Sequence, residues 1–254
     1  MKGIIADLTH LRDMNLAAAM SDTLLRNLED DTMVLQLMNH KEKNVSLGYD
    51  DMHAPYIKKG IQYYKDQGYT VAIRNSGGRS VVNDPGILNW ALLYKTKKSI
   101  EDVYLFLYHF TNDALKPLGI SLEFGEVTGA YCPGTFDFSI DGQKVAGTAQ
   151  RRVLDKTLVG GYISVNGNQP ARGELIAKFY EITQDQLKVY PNKLTTLAEK
   201  HQSPLSVDSV KDLFIDHFKK ITTSQSYLDP SSLDQSKIEA SKKRIKDAQS
   251  KFIQ

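Results

Sequence analysis

The sequence feature that most restricts the fold of this chain is a series of segments rich in β-forming residues. Tight turns separate these segments. Residues 135–140 and 144–149 are two such segments, and Asp141-Gly142 between them is a dipeptide typical of two-residue hairpin turns. A third segment follows at 157–165. Strands that are joined in this way pair antiparallel, because a short turn reverses the direction of the chain.

Other parts of the chain supply further strands and the helices that interrupt them. Short strands are predicted at 32–37, 44–48 and 69–74, and from there to Tyr94 further β-rich runs alternate with turns at Ser76-Gly77-Gly78 and Asp84-Pro85-Gly86. Helices are predicted at 14–28, 55–67, 99–116 and 171–182. Because the helices do not alternate strictly with the strands, we expect an α+β fold with mixed, mainly antiparallel sheets flanked by helices.

The apolar content falls after Tyr190-Pro191, and helices are predicted from there at 193–201, 207–222 and 231–252. We therefore divide the chain into a main domain, 1–190, and a small helical C-terminal extension, 191–254. The last of these helices lies in a segment with six Lys or Arg and three acidic residues. Such a run either steers an acidic partner or is the solvated face of a helix.

Composition narrows the class of protein. With 254 residues the chain can bury a substantial core, and its 41% hydrophobic and 24% charged residues are ordinary for a soluble globular protein. No apolar run approaches the length of a membrane span, and charged residues interrupt the N-terminal apolar patch before it could form a signal peptide. A formal net charge of +2 indicates neither nucleic acid nor membrane as the main partner. We expect a cytoplasmic protein.

The single cysteine, Cys132, is the first candidate for chemistry. One cysteine can form neither an intramolecular disulfide nor a multi-thiolate metal site, so it is either a small buried hydrophobe or a reactive thiol. Pro133 and Gly134 place it in a loop, where a thiol is accessible. The six histidines are scattered without an i, i+4 pair, and we predict no metal.

Two further features are compatible with function and with ordinary structure. A thiol is only a few per cent ionised at neutral pH, so a catalytic cysteine needs a cation or base nearby, and Lys144, twelve residues after Cys132, is a candidate. A lysine on a strand also commonly points into water. The Ser76-Gly77-Gly78 turn lacks the signature of a phosphate-binding loop, and by itself its sequence favours a plain hairpin turn.

Three motifs occur together in one order: Arg74-Asn75-Ser76-Gly77-Gly78, then Gly86-Ile87-Leu88-Asn89, then Lys144-Val145-Ala146-Gly147. In order and spacing, residues 14–182 resemble the biotin and lipoate protein ligase superfamily. The runs 131–137, which begins Tyr-Cys-Pro-Gly, and 149–152, Ala-Gln-Arg-Arg, are similar to those of one branch, the octanoyl-[H protein]:protein N-octanoyltransferase family.

The resemblance implies a reaction and a set of residues. Members of that family move an octanoyl group from a lysine of the glycine-cleavage H protein to a lysine on the lipoyl domains of 2-oxoacid dehydrogenase acyltransferase subunits, through an enzyme thioester. By position, Cys132 is the thioester residue and Lys144 the lysine near the acyl carbonyl, within a catalytic domain over 1–190. Substrate contacts are expected from Arg74, Ser76, Gly77, Gly78, Val82, Asn83, Gly147, Thr148 and Ala149.

No cofactor is expected for this reaction, because exchanging one lysyl amide for another has a net free energy near zero. The octanoyl tail contains about seven methylene or methyl groups, and burying each contributes roughly 0.8 kcal/mol. A narrow apolar tunnel would hold it. We expect its walls from the small residues Ala146, Gly147 and Ala149, with Val81 and Val82 across the sheet, although any one of these residues is equally compatible with a close-packed sheet.

Departures from the superfamily leave alternatives. ATP-using ligases carry a third glycine and a Tyr-His pair after the turn, whereas this chain has Arg79 and Val82-Asn83, which argues against an adenylate site and a histidine base. One alternative is octanoyl transfer from acyl carrier protein to the H protein. Others are an ATP-dependent lipoate-protein ligase and a non-catalytic protein that binds lipoyl domains.

Overall fold

Two sheets organise the chain in a computed structural model that describes residues 1–74 and 78–250. The main sheet has eight strands in the order β11-β1-β2-β6-β10-β9-β8-β7, and the second has the order β4-β3-β5. The strands are β1 (Lys2–Asp7), β2 (Thr32–Met38), β3 (Asn44–Leu47), β4 (Thr70–Ile73), β5 (Val81–Asn83), β6 (Ile87–Lys95), β7 (Glu123–Phe124), β8 (Phe138–Ile140), β9 (Gln143–Val153), β10 (Lys156–Ser164) and β11 (Ser224–Tyr227).

Helices lie against both sheets. They are α1 (Met14–Arg26), α2 (Ile57–Asp66), α3 (Ile100–Leu115), α4 (Gln169–Thr183), α5 (Leu197–His201), α6 (Val207–Ile221) and α7 (Gln235–Ser250). Within the described residues, none of these helices combines the length and the apolar character that crossing a bilayer requires. The predicted helices all occur, with ends that differ by a few residues.

The predicted α+β class is confirmed. In the main sheet β1 pairs in parallel with β11 and β2, and the other neighbours pair antiparallel. Asp141 and Gly142 have φ values of 51° and 69°, the pair of positive angles that a type I′ hairpin turn requires, so the predicted turn between β8 and β9 is also confirmed. Antiparallel pairing of β9 with β10 and of β10 with β6 then follows.

The largest core lies between one face of the main sheet and the helices α3 and α6. Trp90 of β6 is 1% exposed and contacts Phe214 of α6 edge to face, with 5.7 Å between the ring centroids. Phe110 of α3 packs on the same Phe214 at 5.9 Å. Burial of these rings fixes the sheet against its two helices.

The opposite face of the main sheet is covered in two parts. At one end Leu24 and Leu25 of α1, with Leu28 just after this helix, pack against small and branched residues of the sheet. At the other end the second sheet, α2 and α4 form a separate core with Tyr131 and Tyr162. The loop that carries Cys132 therefore lies where the second core meets the main sheet.

Three strands escaped sequence analysis, and one predicted strand is shorter than expected. β1 and β11 at one edge and the two-residue β7 at the other were not predicted. Only the last three residues of the predicted strand 135–140 are extended, because residues 134–137 form a turn in which the Asp137 N–H donates to Gly134 O at 3.2 Å. β11, Ser-Gln-Ser-Tyr, is exposed along its length and carries no apolar alternation.

The segment after Tyr190 contributes to the same cores. β11 extends the main sheet, and Phe214 and Phe218 of α6 are fully buried. α7 packs on α1, where Arg244 pairs with the buried Asp22 at 2.8 Å, so part of the positive charge of this helix has a structural partner. The division into a domain over 1–190 and an extension over 191–254 stays a prediction.

Truncating Phe218 measures how strongly the C-terminal segment is coupled to the sheet. Phe218 lies directly on Gly3 of β1, so we expect Phe218→Ala to lower the free energy of unfolding by about 3–5 kcal/mol in a single transition. Urea unfolding followed by circular dichroism checks this. Ile221→Ala on the same helix, at a residue that is 41% exposed, should cost about 1 kcal/mol or less. A separate early transition in Phe218→Ala would instead show that the extension unfolds independently.

Candidate active site

Cys132 lies at a bend in the loop formed by residues 131–137, which we call the cysteine loop. It is a free, partly buried cysteine with φ of 43°, in the left-handed region that residues other than glycine rarely adopt. Tyr131 before it is fully buried. A strained backbone of this kind persists only where the surroundings hold it in place.

Lys144 of β9 holds that bend. Its Nζ donates to Tyr131 O at 3.0 Å and to Cys132 O at 2.6 Å, and it pairs with Asp137 Oδ2 at 2.6 Å. Successive carbonyls point to opposite sides in an extended chain, so two of them can face one ammonium only where the backbone bends. The structure thus brings Cys132 and Lys144 together, with the three ammonium protons directed at three oxygens of the cysteine loop.

Asp137 completes this clamp from within the loop. Its Oδ2 also accepts the Gly134 N–H at 2.8 Å, and both Asp137 and Lys144 are 2% exposed or less. Burial raises the pKa of the Asp137 carboxyl, and Lys144 and the N–H groups of Gly134 and Thr148 oppose that rise. Breaking such a pair leaves one charge buried without its partner, which is costly.

The thiol itself is held by groups that follow strand β4. The Arg79 N–H donates to Cys132 Sγ at 3.2 Å, and Arg74 Nη2 lies 3.7 Å from the same atom. Arg74 also donates to Arg79 O at 2.6 Å and to Ser46 O at 3.1 Å, so its guanidinium is fixed between β3 and the thiol. These two donors hold the sulfur in place at the bend of the cysteine loop.

Gly78 allows this approach. It has φ of 88°, and a Cβ placed on it would lie 3.2 Å from Cys132 Sγ and 3.0 Å from Arg74 Nη2. Any side chain here would therefore be strained and would crowd the sulfur. Ser76 and Gly77, predicted in the same turn, lie outside the described residues.

Strand alternation separates the three predicted residues of β9. Gly147 and Ala149 share a face of the sheet, and Thr148 lies on the other, where its Oγ1 donates to Phe136 O at 2.6 Å and supports the cysteine loop. Tyr162, the partner of Gly147 on β10, covers the glycine, since its ring lies 2.6 Å from where a Cβ would be. Ala149 is exposed. The Tyr162 ring therefore occupies the space beside Gly147, and the exposed part of this face lies at Ala149, two residues further along.

Val82 and Asn83 lie away from the surface. Val82 is fully buried opposite Val45, and Asn83 donates to Ser46 Oγ at 3.2 Å and accepts from Asn89 Nδ2 at 3.0 Å. Both Val81 and Val82 belong to β5 in the second sheet and not to the sheet of Lys144, and they lie in the core that Cys132 packs against. Their expected place in a tunnel wall stays a prediction. Hydrophobic patterning predicts strands but does not say which strands share a sheet.

Other groups of the site were not found from sequence. Asp137 had a usable signal, because a lysine buried beside a loop requires a carboxylate nearby. The Arg79 N–H had none, since every residue except proline carries this group.

Two surface depressions lie away from Cys132 and Lys144. One is lined by residues 167–170 together with residues of the segment after Leu194 such as Thr196 and Pro204, and the other by residues 123–128 together with Lys193. Within residues 1–74 and 78–250, no three His, Cys, Asp or Glu side chains converge in a way that could hold a metal ion.

Comparison with known proteins assigns this arrangement to a family. Residues 13–219 match the family model of the lipoyl protein ligase A/B catalytic domain. A protein of Geobacillus kaustophilus named octanoyl-[GcvH]:protein N-octanoyltransferase is 40% identical over 66% of this chain and 63% of its own length. A protein of the same name from Anoxybacillus flavithermus is 36% identical over 79% of this chain and 74% of its own length. This chain thus spans less than two thirds of the Geobacillus relative.

A third relative carries a different acyl group in its name. The protein of Listeria monocytogenes named lipoyl-[GcvH]:protein N-lipoyltransferase is 37% identical over 66% of this chain and 64% of its own length.

Among solved structures, lipoate-protein ligase A bound with ATP has a TM-score of 0.72 at 18% identity and covers 97% of this chain and 95% of that one. The bi-partite lipoate protein ligase of Thermoplasma acidophilum has a TM-score of 0.69 at 17% identity and covers 97% and 91%. These structural likenesses concern the fold.

Removing the Asp137 carboxylate tests the clamp. We expect Asp137→Ala to lower the free energy of unfolding by about 3–5 kcal/mol, because Lys144 would keep its buried charge without its anion. Thermal or urea unfolding at pH 7 measures this. Glu181→Ala breaks the exposed Lys178–Glu181 pair and should cost about 1 kcal/mol at most. Equal small losses in the two variants would show that the buried pair does not hold the loop.

Proposed function

Because this chain belongs to the family of lipoyl protein ligase A/B catalytic domains, we propose that it is an octanoyl-[GcvH]:protein N-octanoyltransferase that works through a thioester on Cys132. The observation that carries the proposal is the environment of the thiol. Cys132 Sγ accepts a backbone N–H from Arg79 and lies 3.7 Å from the Arg74 guanidinium, at a strained bend of a partly buried loop. Strain of this kind clusters at functional sites.

The reaction divides into two acyl transfers. In the first, the Cys132 thiolate attacks the carbonyl of the octanoyl-lysine amide on GcvH, a C–S bond forms, the C–N bond breaks, and the lysine leaves as an amine that takes up a proton. In the second, the neutral amine of an acceptor lysine attacks the thioester, a C–N bond forms, the C–S bond breaks, the thiolate leaves, and the amine nitrogen releases the proton that balances the one taken up in the first transfer. The sum replaces one lysyl amide by another, so no activating nucleotide enters the balance.

Lys144 influences this chemistry through the backbone of Cys132. Its three protons face Tyr131 O, Cys132 O and Asp137 Oδ2, so a proton leaving Nζ would break one of these hydrogen bonds. We therefore assign Lys144 a positioning and electrostatic role: it holds the strained bend and places a positive charge near the sulfur and the developing oxyanion. Arg74 and the Arg79 N–H bind the thiolate directly.

We assign the acceptor to the lipoyl domains of 2-oxoacid dehydrogenase acyltransferase subunits and the location to the cytoplasm, whose reducing conditions keep a free cysteine as a thiol. Donor and acceptor then differ in the protein that carries the lysine and not in the chemistry of the transfer.

The identity of the acyl group has a second candidate. The Listeria relative is named for lipoyl transfer, and the thioester chemistry is the same for both groups. Competition between octanoyl- and lipoyl-GcvH in one reaction, read by the mass of the acylated enzyme, separates the two.

The central test is a mass measurement on the enzyme after incubation with octanoylated GcvH. We expect the wild type to gain one octanoyl group, located on Cys132 by peptide mapping, and to lose it when a lipoyl domain is added. Cys132→Ser should form no thioester, and Lys193→Ala, at a surface residue away from the thiol, should behave as the wild type.

Other outcomes favour the alternatives. An adduct that forms from octanoyl-acyl carrier protein but not from octanoyl-GcvH would assign the chain to the first octanoyl transfer. Release of pyrophosphate on mixing with ATP and lipoate would identify a ligase. Binding of a lipoyl domain with no adduct from either donor would indicate a non-catalytic binder.

The open face of β9 is the proposed entry of the acyl chain. Ala149 is exposed on the face of Gly147, so Ala149→Phe should obstruct the tail and slow octanoyl-adduct formation roughly tenfold, as 1–3 kcal/mol of overpacking implies. Alkylation of Cys132 by iodoacetamide should change by about twofold at most, since that reagent carries no long tail. Leu154→Phe, at a residue 93% exposed just after β9, is the matched control. Equal adduct rates in both variants would place the acyl chain elsewhere.

A further inference from the structure

Asp51 is a fully buried carboxylate that the proposed reaction does not use directly. It lies in the short 3-10 helix Asp50–His53 that follows β3. Its Oδ2 accepts the Gly48 N–H at 2.9 Å, and its Oδ1 accepts the Tyr180 hydroxyl at 3.0 Å. Burial raises the pKa of this carboxyl to about 6, so at neutral pH it is ionised although burial disfavours the charge.

A chain of hydrogen bonds connects this carboxylate to the thiol. The Tyr180 hydroxyl that donates to Asp51 accepts the Ser80 N–H at 3.1 Å. The preceding N–H in the chain is that of Arg79, which donates to Cys132 Sγ. Because peptide groups are planar, fixing the Ser80 N–H leaves only the two backbone dihedrals of Arg79 to orient the N–H at the sulfur.

A second path leads from the same carboxylate through Gly48. The residue follows β3, and a Cβ placed on it would lie 1.8 Å from Gly78 O and 2.9 Å from Arg79 N. The backbone of Gly78 and Arg79 therefore rests directly on Gly48. Asp51, by binding the Gly48 N–H, fixes the surface on which the thiol-binding turn lies.

The side chain of Arg79 provides a further link between Asp51 and the thiol-binding N–H. Its Nη1 lies 2.5 Å from Asp185 Oδ2 and 3.9 Å from Asp51 Oδ1. The backbone N–H of Arg79 thus contacts the sulfur of Cys132, while its guanidinium lies beside the carboxylates of Asp185 and Asp51. This couples the orientation of the Arg79 N–H to the charge on Asp51.

We infer that Asp51 is a positioning residue for the nucleophile: acting through Tyr180 and Gly48, its ionised carboxylate holds the Arg79 N–H on Cys132 Sγ and thereby increases the reactivity of the thiol. The inference rests on the proposed function for the role of Cys132. Asp51 touches neither the sulfur nor the reacting carbonyl.

Charges around Asp51 determine the direction of the effect. The groups that face it are Arg74 and Arg79, the hydroxyls of Tyr180 and Tyr64, and Asp185 beyond Arg79, while Asp50 and His53 lie on its own helical turn. An anion near a thiolate disfavours it through space. Here Arg74 acts on Asp51 and contacts Sγ as well, so its positive charge offsets that repulsion, and we expect the positioning effect to dominate.

Removing one hydroxyl tests the connection without removing charge. Tyr180→Phe leaves the Ser80 N–H and one Asp51 oxygen without a partner, and we expect alkylation of Cys132 by iodoacetamide at pH 7.5 to slow roughly tenfold, the effect of about 1.4 kcal/mol. Tyr64→Phe is the matched control, because its buried hydroxyl bonds only the Ser80 side chain, at 2.8 Å. We expect about a twofold change there. Equal rates for the two variants, at similar melting temperatures, would overturn the inference.

The pH dependence separates positioning from a merely structural role. In Asp51→Asn the charge is gone, and an amide NH2, which only donates, replaces one of the two oxygens that accept from the Gly48 N–H and the Tyr180 O–H. We expect the ratio of wild-type to variant alkylation rates to be well above one at pH 7.5 and to fall toward one below about pH 6, as Asp51 becomes protonated. A ratio that stays constant with pH, or a variant faster than the wild type at pH 7.5, would contradict the inference.

Stability supplies an independent readout. The folded pKa of Asp51 is raised from 3.8 to about 6, so the native state binds more protons than the unfolded state between these values, and ionisation of Asp51 lowers wild-type stability as pH rises through this window. Asp51→Asn should lack this pH-dependent contribution to stability.

Neither the alkylation rate nor the unfolding measurement needs an acyl donor, so the inference can hold or fail separately from the transferase activity. Octanoyl-adduct formation by Tyr180→Phe then shows whether the same positioning serves acyl transfer.

Discussion

The buried ion pair between Lys144 and Asp137 is the interaction on which the rest of the site depends. A lysine ammonium that is 1% exposed needs oxygens on all sides, and the cysteine loop provides two carbonyls and one carboxylate. Meeting that need bends the backbone at Cys132 into the left-handed region, which an isolated chain would avoid. The strained backbone at Cys132 and the burial of Lys144 therefore depend on each other.

The two sheets make this arrangement possible because they approach the cysteine from different directions. The main sheet supplies Lys144 on β9, whose ammonium binds the carbonyls of Tyr131 and Cys132. The second sheet supplies Arg74, just after β4, and the residues before β5 that carry the thiol-binding N–H. Neither sheet alone surrounds the sulfur, so the core in which Tyr131, Tyr162 and α4 pack the sheets together also determines the geometry of the thiol.

Sequence predicted most of the fold, since helix periodicity and hairpin turns are local signals. The Asp141-Gly142 turn fixed the antiparallel pairing of β8 and β9, whereas the exposed β11 has no apolar pattern to mark it. In the site, the sequence pointed to Cys132, Lys144, Arg74 and Gly78, which the structure brings together. It could not identify the Arg79 N–H, a group common to nearly all residues, or Asp51, which lies 81 positions before Cys132 and reaches it only through tertiary contacts.

Asp51 and Lys144 illustrate opposite solutions to placing a charge in the interior. Lys144 has a carboxylate and two carbonyls in direct contact, and its burial is compensated locally. Asp51 accepts one N–H and one hydroxyl, the Arg79 guanidinium lies 3.9 Å away, and burial raises the pKa of this carboxyl to about 6. A carboxyl that remains ionised in spite of such burial lowers the stability of the fold, which is the pattern expected where a position serves activity more than stability. Closer approach by Arg79 would relieve Asp51, but the same backbone holds the thiol, and moving it would withdraw the N–H from Cys132.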